Sequence, residues 1–179
     1  MALHQPEAIR SLTLESASPG LSDPVERATR RTQDETLAGR IEREGIPSFV
    51  DYWQELLLFR SQTLLPAATR QQVREQRLSN SAEGLAMSLR GMGTGAQPEL
   101  WTRLHALQTP TLLTVGELDE KFVDINRRMA ADIPGAELRV IADAGHTVHI
   151  EQPQRFAELT LDFITNLSQR DGQELADAK

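Results

Sequence analysis

The sequence has no cysteine among its 179 residues, which excludes a disulfide framework, a thiolate nucleophile and a cysteine-ligated zinc site. No apolar run is longer than the four residues 56–59, far short of the ~20 that cross a bilayer. The polar beginning, MALHQPEAIR, has no apolar stretch of the signal-peptide kind. The expected location is the cytoplasm, with no membrane partner. Positive charge is in deficit: 19 Lys and Arg face 26 Asp and Glu, for a net charge of -7. That balance argues against a nucleic-acid partner held by a basic surface, so any anionic ligand must be met by local clusters. The chain is long enough for one domain with a sizeable core and too short for two of ordinary size.

Two motifs are missing as well. No serine sits in a G-x-S-x-G nucleophile elbow; the nearest stretch, Gly20-Leu21-Ser22-Asp23-Pro24, lacks the second glycine. The glycine-rich stretch 91–95 has no Lys-Ser/Thr and no strand before it, so it reads as a flexible joint rather than a phosphate loop.

What is present alternates. Residues 11–15 form a β-prone run that ends in the turn formers of 16–20. Before them, residues 2–5 read as the end of a helix whose beginning is absent. Asp23, with Pro24 next and Glu26 three residues on, has the form of an N-cap, a first-turn proline and a capping partner. A helix is predicted to about Arg43, and the chain stays helical in character to Gln97, with breaks at 45–48, Pro66 and 91–95. The rhythm then changes. Residues 111–115 are a nearly all-apolar run typical of a parallel strand buried on both faces. Phe122, Ile125, Met129 and Ile133 follow at helical spacing; 138–141 read as a strand; Phe156, Leu159, Phe163 and Leu167 mark a last helix behind Pro153. The order predicts an α/β fold: a parallel sheet with flanking helices, interrupted by a helical insertion. The expected division is partial core at 1–21, helical cap at 22–100, core at 101–168 and a disordered tail at 169–179.

In an open parallel sheet, ligands gather beyond the carboxyl ends of the strands. Asp119 follows one predicted strand and His146 the next. Adjacent parallel strands lie only ~5 Å apart, so these two loops can meet. A carboxylate on one imidazole nitrogen fixes the tautomer and leaves the other nitrogen free to take a proton. Blander readings compete: Asp119 as the N-cap of the helix that starts at Glu120, and His146 as a solvated loop histidine. His149 beside His146 suggests a metal pair, but no organised cysteine or carboxylate ligands accompany it. Arg27, Arg30, Arg31, Arg70, Arg74, Arg77 and Arg90 lie in the helical insertion. Most such arginines are solvated faces, while two or three turned to one cleft would clamp carboxylates bidentately.

Five stretches make the chain specific: ESASPGL at 15–21, FVDYW at 49–53, GLAMSLRGMGTGAQP at 84–98, GELDEKF at 116–122 and AGHTVH at 144–149. Together they resemble the α/β-hydrolase-fold 2-succinyl-6-hydroxy-2,4-cyclohexadiene-1-carboxylate synthases of menaquinone biosynthesis, from about Ala2 to about Leu167. The resemblance implies a lyase that eliminates pyruvate through a Ser-His-Asp triad, with no metal or organic cofactor and a small anionic menaquinone precursor as substrate. It implies Asp119 as the orienting acid and His146 as the base. Arg30 and Arg77 look like cap arginines that hold substrate carboxylates, and Tyr52 or Trp53 like the cap aromatic. It also implies that the early strands, the oxyanion loop and the elbow serine precede this sequence and that Met1 is an internal methionine. Among the fold's strands, the one at Ser11 lies beside the nucleophile strand, so three parallel strands with an open edge are expected. Poor solubility, inactivity alone, and partnership with the missing N-terminal part or with another copy follow from that. Two alternatives stand beside this reading: an ordinary esterase or carbon-carbon hydrolase of the same fold, and a non-catalytic half-domain that pairs with another chain.

Overall fold

The computed structural model describes residues 1–177. The chain divides into two compact units, one made of Met1–Ser18 with everything from Arg103 onward, the other of Pro19–Thr102. The expected helical stretch, 22–100, lies inside the second.

The first unit is built on three parallel strands, β1 (Leu12–Glu15), β2 (Thr111–Gly116) and β3 (Glu137–Ile141), in the order β1-β2-β3. Leu12 pairs with Thr111 and Leu112 with Glu137, so β2 is hydrogen-bonded on both sides. All six residues of β2 are buried, as its nearly all-apolar character requires of a central strand covered on both faces. Three helices of this unit follow the strands: α4 (Glu120–Asp132), α5 (Val148–Glu151) and α6 (Pro153–Asp177). Val123 and Met129 of α4 are buried, and so is Ile133 just beyond it. Ile141, Ala144 and Val148 form a second cluster under Phe156 and Leu159 of α6.

The amides of His4 and Gln5 both donate to the Met1 carbonyl in a single turn, and a short 3₁₀ turn at Pro6–Ala8 follows. One expectation needs correction here. The disordered tail expected at 169–179 is helical as far as Asp177, because α6 continues through it; Ala178 and Lys179 lie outside the described residues. Glutamate, glutamine, leucine and alanine propagate a helix already started, and scarcity of apolar residues governs burial rather than helicity.

The second unit holds α1 (Pro24–Gln54), a 3₁₀ segment at Leu57–Leu64, α2 (Ala67–Leu78) and α3 (Ala82–Met92). Asp23 caps α1 as its sequence demands, its Oδ1 accepting from the amides of Val25 at 2.6 Å and Glu26 at 2.9 Å. The break expected at 45–48 is a kink inside α1, where Gly45 takes φ 80° and ψ 174°, two residues before Pro47. Ile41, Ile46, Phe49 and Val50 form the core of this unit, packed against Trp53, Leu78, Leu85 and Leu89. Arg90 of α3 ties it to α1 by donating to both Glu35 and Glu42. Among the described residues, no helix is long and apolar enough to cross a membrane.

Candidate active site

The carboxyl ends of β2 and β3 place Asp119 and His146 side by side. His146 Nδ1 lies 2.7 Å from Asp119 Oδ2, with 8% of the Asp119 side chain and 21% of the His146 side chain exposed. An ionised carboxylate only accepts, so the proton of this bond sits on Nδ1, the nitrogen nearer Asp119. The imidazole also packs against Phe122, ring centroids 4.6 Å apart. Asp119 stands at the N-cap position of α4, yet its side chain makes no capping bond. The helix forgoes that stabilisation, and the carboxylate serves the histidine instead.

Close backbone contact sets this geometry. The amide of Glu117 donates to the Ile141 carbonyl at 2.9 Å and that of Leu118 to the Ala144 carbonyl at 2.9 Å, lacing the Asp119 loop to the His146 loop. At Gly116 a side-chain carbon would collide with the carbonyl oxygens of Ala144 and Gly145, so only glycine admits this approach. Asp143, at the entry to the histidine loop, adopts a left-handed φ of 57°, which aspartate tolerates better than most residues.

Two further carboxylates bracket the histidine loop, and the sequence reading did not single them out. Glu151, at the end of α5, accepts from the Gly145 amide at 2.7 Å, from the Thr147 amide at 3.2 Å and from the Thr147 hydroxyl at 2.9 Å. Glu15, at the end of β1, accepts from the His149 amide at 2.9 Å and lies 2.7 Å from His149 Nδ1. The His149 ring is turned to Glu15, and no group of three or more His, Asp or Glu that could hold a metal ion occurs among the described residues. The signals were present, an acid at the end of β1 and another five residues after His146, but acids at such positions are too common to stand out without coordinates.

The other candidates fall in the helical unit. Arg30, Tyr52 and Trp53 line one cavity of about 660 Å³ together with Arg40. Arg77 lines a different one, of about 320 Å³, with Arg70, Arg74 and Gln54. Arg30 is paired with the buried Asp34 at 2.8 Å. Arg40 lies over the Tyr52 ring. Arg77 donates to Gln62 and stacks on Phe59, 4.9 Å from its centroid, and burial pushes its guanidinium pKa below the ordinary value. Trp53 links the two groups, its ring 5.6 Å from that of Phe59.

Comparison with known proteins gives these features a context. The model of the alpha/beta hydrolase family matches residues 2–159. The chain is 43% identical over 166 residues to the putative 2-succinyl-6-hydroxy-2,4-cyclohexadiene-1-carboxylate synthase of Bacillus subtilis, covering 93% of this chain and 61% of that protein. Among solved structures, MenH from S. aureus superposes with a TM-score of 0.88 at 41% identity, over 89% of this chain and 60% of that one. A thermophilic esterase from Thermogutta terrifontis, solved with malate bound, superposes with a TM-score of 0.79 at 26% identity, over 93% of this chain and 59% of that one. The chain thus spans about 60% of the length of these relatives.

Proposed function

This chain belongs to the alpha/beta hydrolase family, and from that premise we propose that it carries the acid and the base of a pyruvate-eliminating lyase of menaquinone synthesis. The observation that carries the proposal is the Asp119 carboxylate, which leaves its helix uncapped and accepts from His146 Nδ1 at 2.7 Å. Likeness to the synthases supplies the substrate: a small anionic menaquinone precursor that loses pyruvate.

In this reading Asp119 holds the imidazole in one tautomer and stabilises the imidazolium that forms. His146 Nε2 takes the proton of a serine hydroxyl, and the serine oxygen removes a proton from carbon in the precursor. The electrons of that C–H bond form the new ring double bond as the C–O bond to the enolpyruvyl group breaks. The departing group takes a proton back from the serine-histidine pair and leaves as pyruvate. No group is oxidised or reduced. The serine belongs to a segment outside these 179 residues, which contain no G-x-S-x-G. Among the described residues β1 pairs only with β2, so its outer edge is available to the strand that would bring the serine. Without that segment the chain is inactive. By likeness to the synthases, Arg30 and Arg77, each in its own cavity of the helical unit, are read as holders of the precursor's carboxylates, and Tyr52 or Trp53 as its aromatic face.

The likeness to the thermophilic esterase favours a second reading, ester hydrolysis by the same acid-base pair. One experiment separates the two. The chain is joined behind the N-terminal portion of the Bacillus subtilis relative that it does not span, and the completed enzyme is offered the menaquinone precursor and simple aryl esters. Pyruvate release well above ester turnover is the expected result. Efficient ester hydrolysis with the precursor ignored would overturn the lyase reading.

A further inference from the structure

We propose that Glu151 is the positioning residue that holds the His146 loop in register with Asp119, a role that rests on the reading of His146 as the base. Its two oxygens collect three donors, and two of these are the backbone amides on either side of His146, those of Gly145 and Thr147. With the amides on both sides of His146 fastened, the backbone that carries the ring is held where Nδ1 reaches Asp119. The carboxylate thereby accepts from two backbone amides in a partly buried loop.

Helix capping alone does not account for this arrangement. Thr147 stands at the N-cap position of α5, and a capping acid would reach back no further than its amide. The shortest of the three bonds, 2.7 Å, goes past the helix to Gly145. The support for Glu151 is itself anchored. Glu15 grips the amide and ring of His149 in the same short helix, which fixes α5 to the end of β1. Position is thereby passed from β1 through Glu15 to α5, and from α5 through Glu151 to the loop that carries His146. A carboxylate is needed because it accepts on both sides; an amide in its place would turn an NH₂ group toward one of the donors.

The test is proton NMR of the 179-residue chain labelled with ¹⁵N-histidine, without substitution and as Glu151→Ala and Glu151→Gln. The Nδ1-bound proton of His146, carried far downfield by its bond to Asp119, is expected in the unsubstituted chain. It should vanish in Glu151→Ala and weaken in Glu151→Gln, while the ring nitrogens of His149 keep their shifts. Persistence of the proton unchanged in both variants overturns the role of Glu151 and leaves the base reading intact. Its absence from the unsubstituted chain overturns the acid-base pairing, and the role of Glu151 with it. Should Glu151→Ala fail to fold, Glu151→Gln keeps the size and one acceptor and is judged by the same resonance. In the completed enzyme Glu151→Ala should lower kcat by about 10- to 100-fold with KM unchanged. A raised KM at unchanged kcat contradicts the proposal.

Discussion

Gly116→Ala probes the contact on which the site depends. The added carbon would occupy the space of two backbone oxygens, those of Ala144 and Gly145, and neither can rotate away as a side chain would. Relief requires the end of β2 and the histidine loop to part by roughly 1 Å, to restore ordinary contact at about 3.5 Å. That movement strains the bonds from Glu117 to Ile141 and from Leu118 to Ala144, each worth about 1 kcal/mol net. Overpacking adds about 1–3 kcal/mol, so the whole cost is roughly 3–5 kcal/mol, a large share of the ~5–15 kcal/mol that holds an ordinary domain together. Gly135→Ala is the control. Gly135 has φ 68° and nothing within 4 Å of an added carbon, so only the backbone conformation resists, at about 1–2 kcal/mol. Urea unfolding of the completed enzyme, followed by circular dichroism, compares the two variants in one background. If Gly116→Ala costs no more than Gly135→Ala, the two loops are not held by close backbone contact and that part of the reasoning fails.

Other expectations concern the helical unit and its response to acid. Arg90, through its hydrogen bonds, holds Glu35 and Glu42 below the ordinary 4.5. The stability these exposed pairs add is therefore fully present above pH 4.5 and is lost as the pH falls through the lowered values. Arg90→Met should flatten the acid side of a melting-temperature profile taken below pH 5, and an unaltered slope would show that the α1–α3 tie is electrostatically inert. Ile41→Ala, at a position only 1% exposed, should cost about 2–5 kcal/mol in urea unfolding; a loss under 1 kcal/mol would mean that the Ile41 cluster is not a packed core. Asp23→Ala should cost about 1 kcal/mol through loss of the α1 cap, and no change in the unfolding midpoint would deny the cap a role.

Much of the architecture was legible because it rests on short-range rules. The nearly all-apolar run at 111–115 predicted a strand covered on both faces, and β2 is buried throughout. The Asp23-Pro24 signature placed the start of α1 correctly. Successive strands predicted that the Asp119 and His146 loops meet, and they do so at 2.7 Å. What sequence alone left open was which of two roles the Asp119 carboxylate takes, because an N-cap and a histidine partner call for the same residue type at the same place. Glu15 and Glu151 stayed hidden for a related reason. Glu15 acts on a residue 134 positions away, a pairing that no local pattern encodes, and Glu151 acts on backbone amides, which leave no mark in the sequence. The arginines of the insertion were legible as charge but not by neighbourhood: Arg30 and Arg77 line separate cavities, a consequence of the kink at Gly45 and the 3₁₀ segment between α1 and α2, whose paths spacing does not fix.

The central claim is that His146, oriented by Asp119, is the group that moves the proton. Pyruvate release from the menaquinone precursor by the completed enzyme, compared for His146→Ala and His149→Ala, tests it most directly. The account predicts that His146→Ala abolishes turnover, whereas His149→Ala, which removes the ring's bond to Glu15 and leaves the amide's bond in place, lowers it mildly. Equal losses at both positions, or turnover that survives His146→Ala, would contradict it.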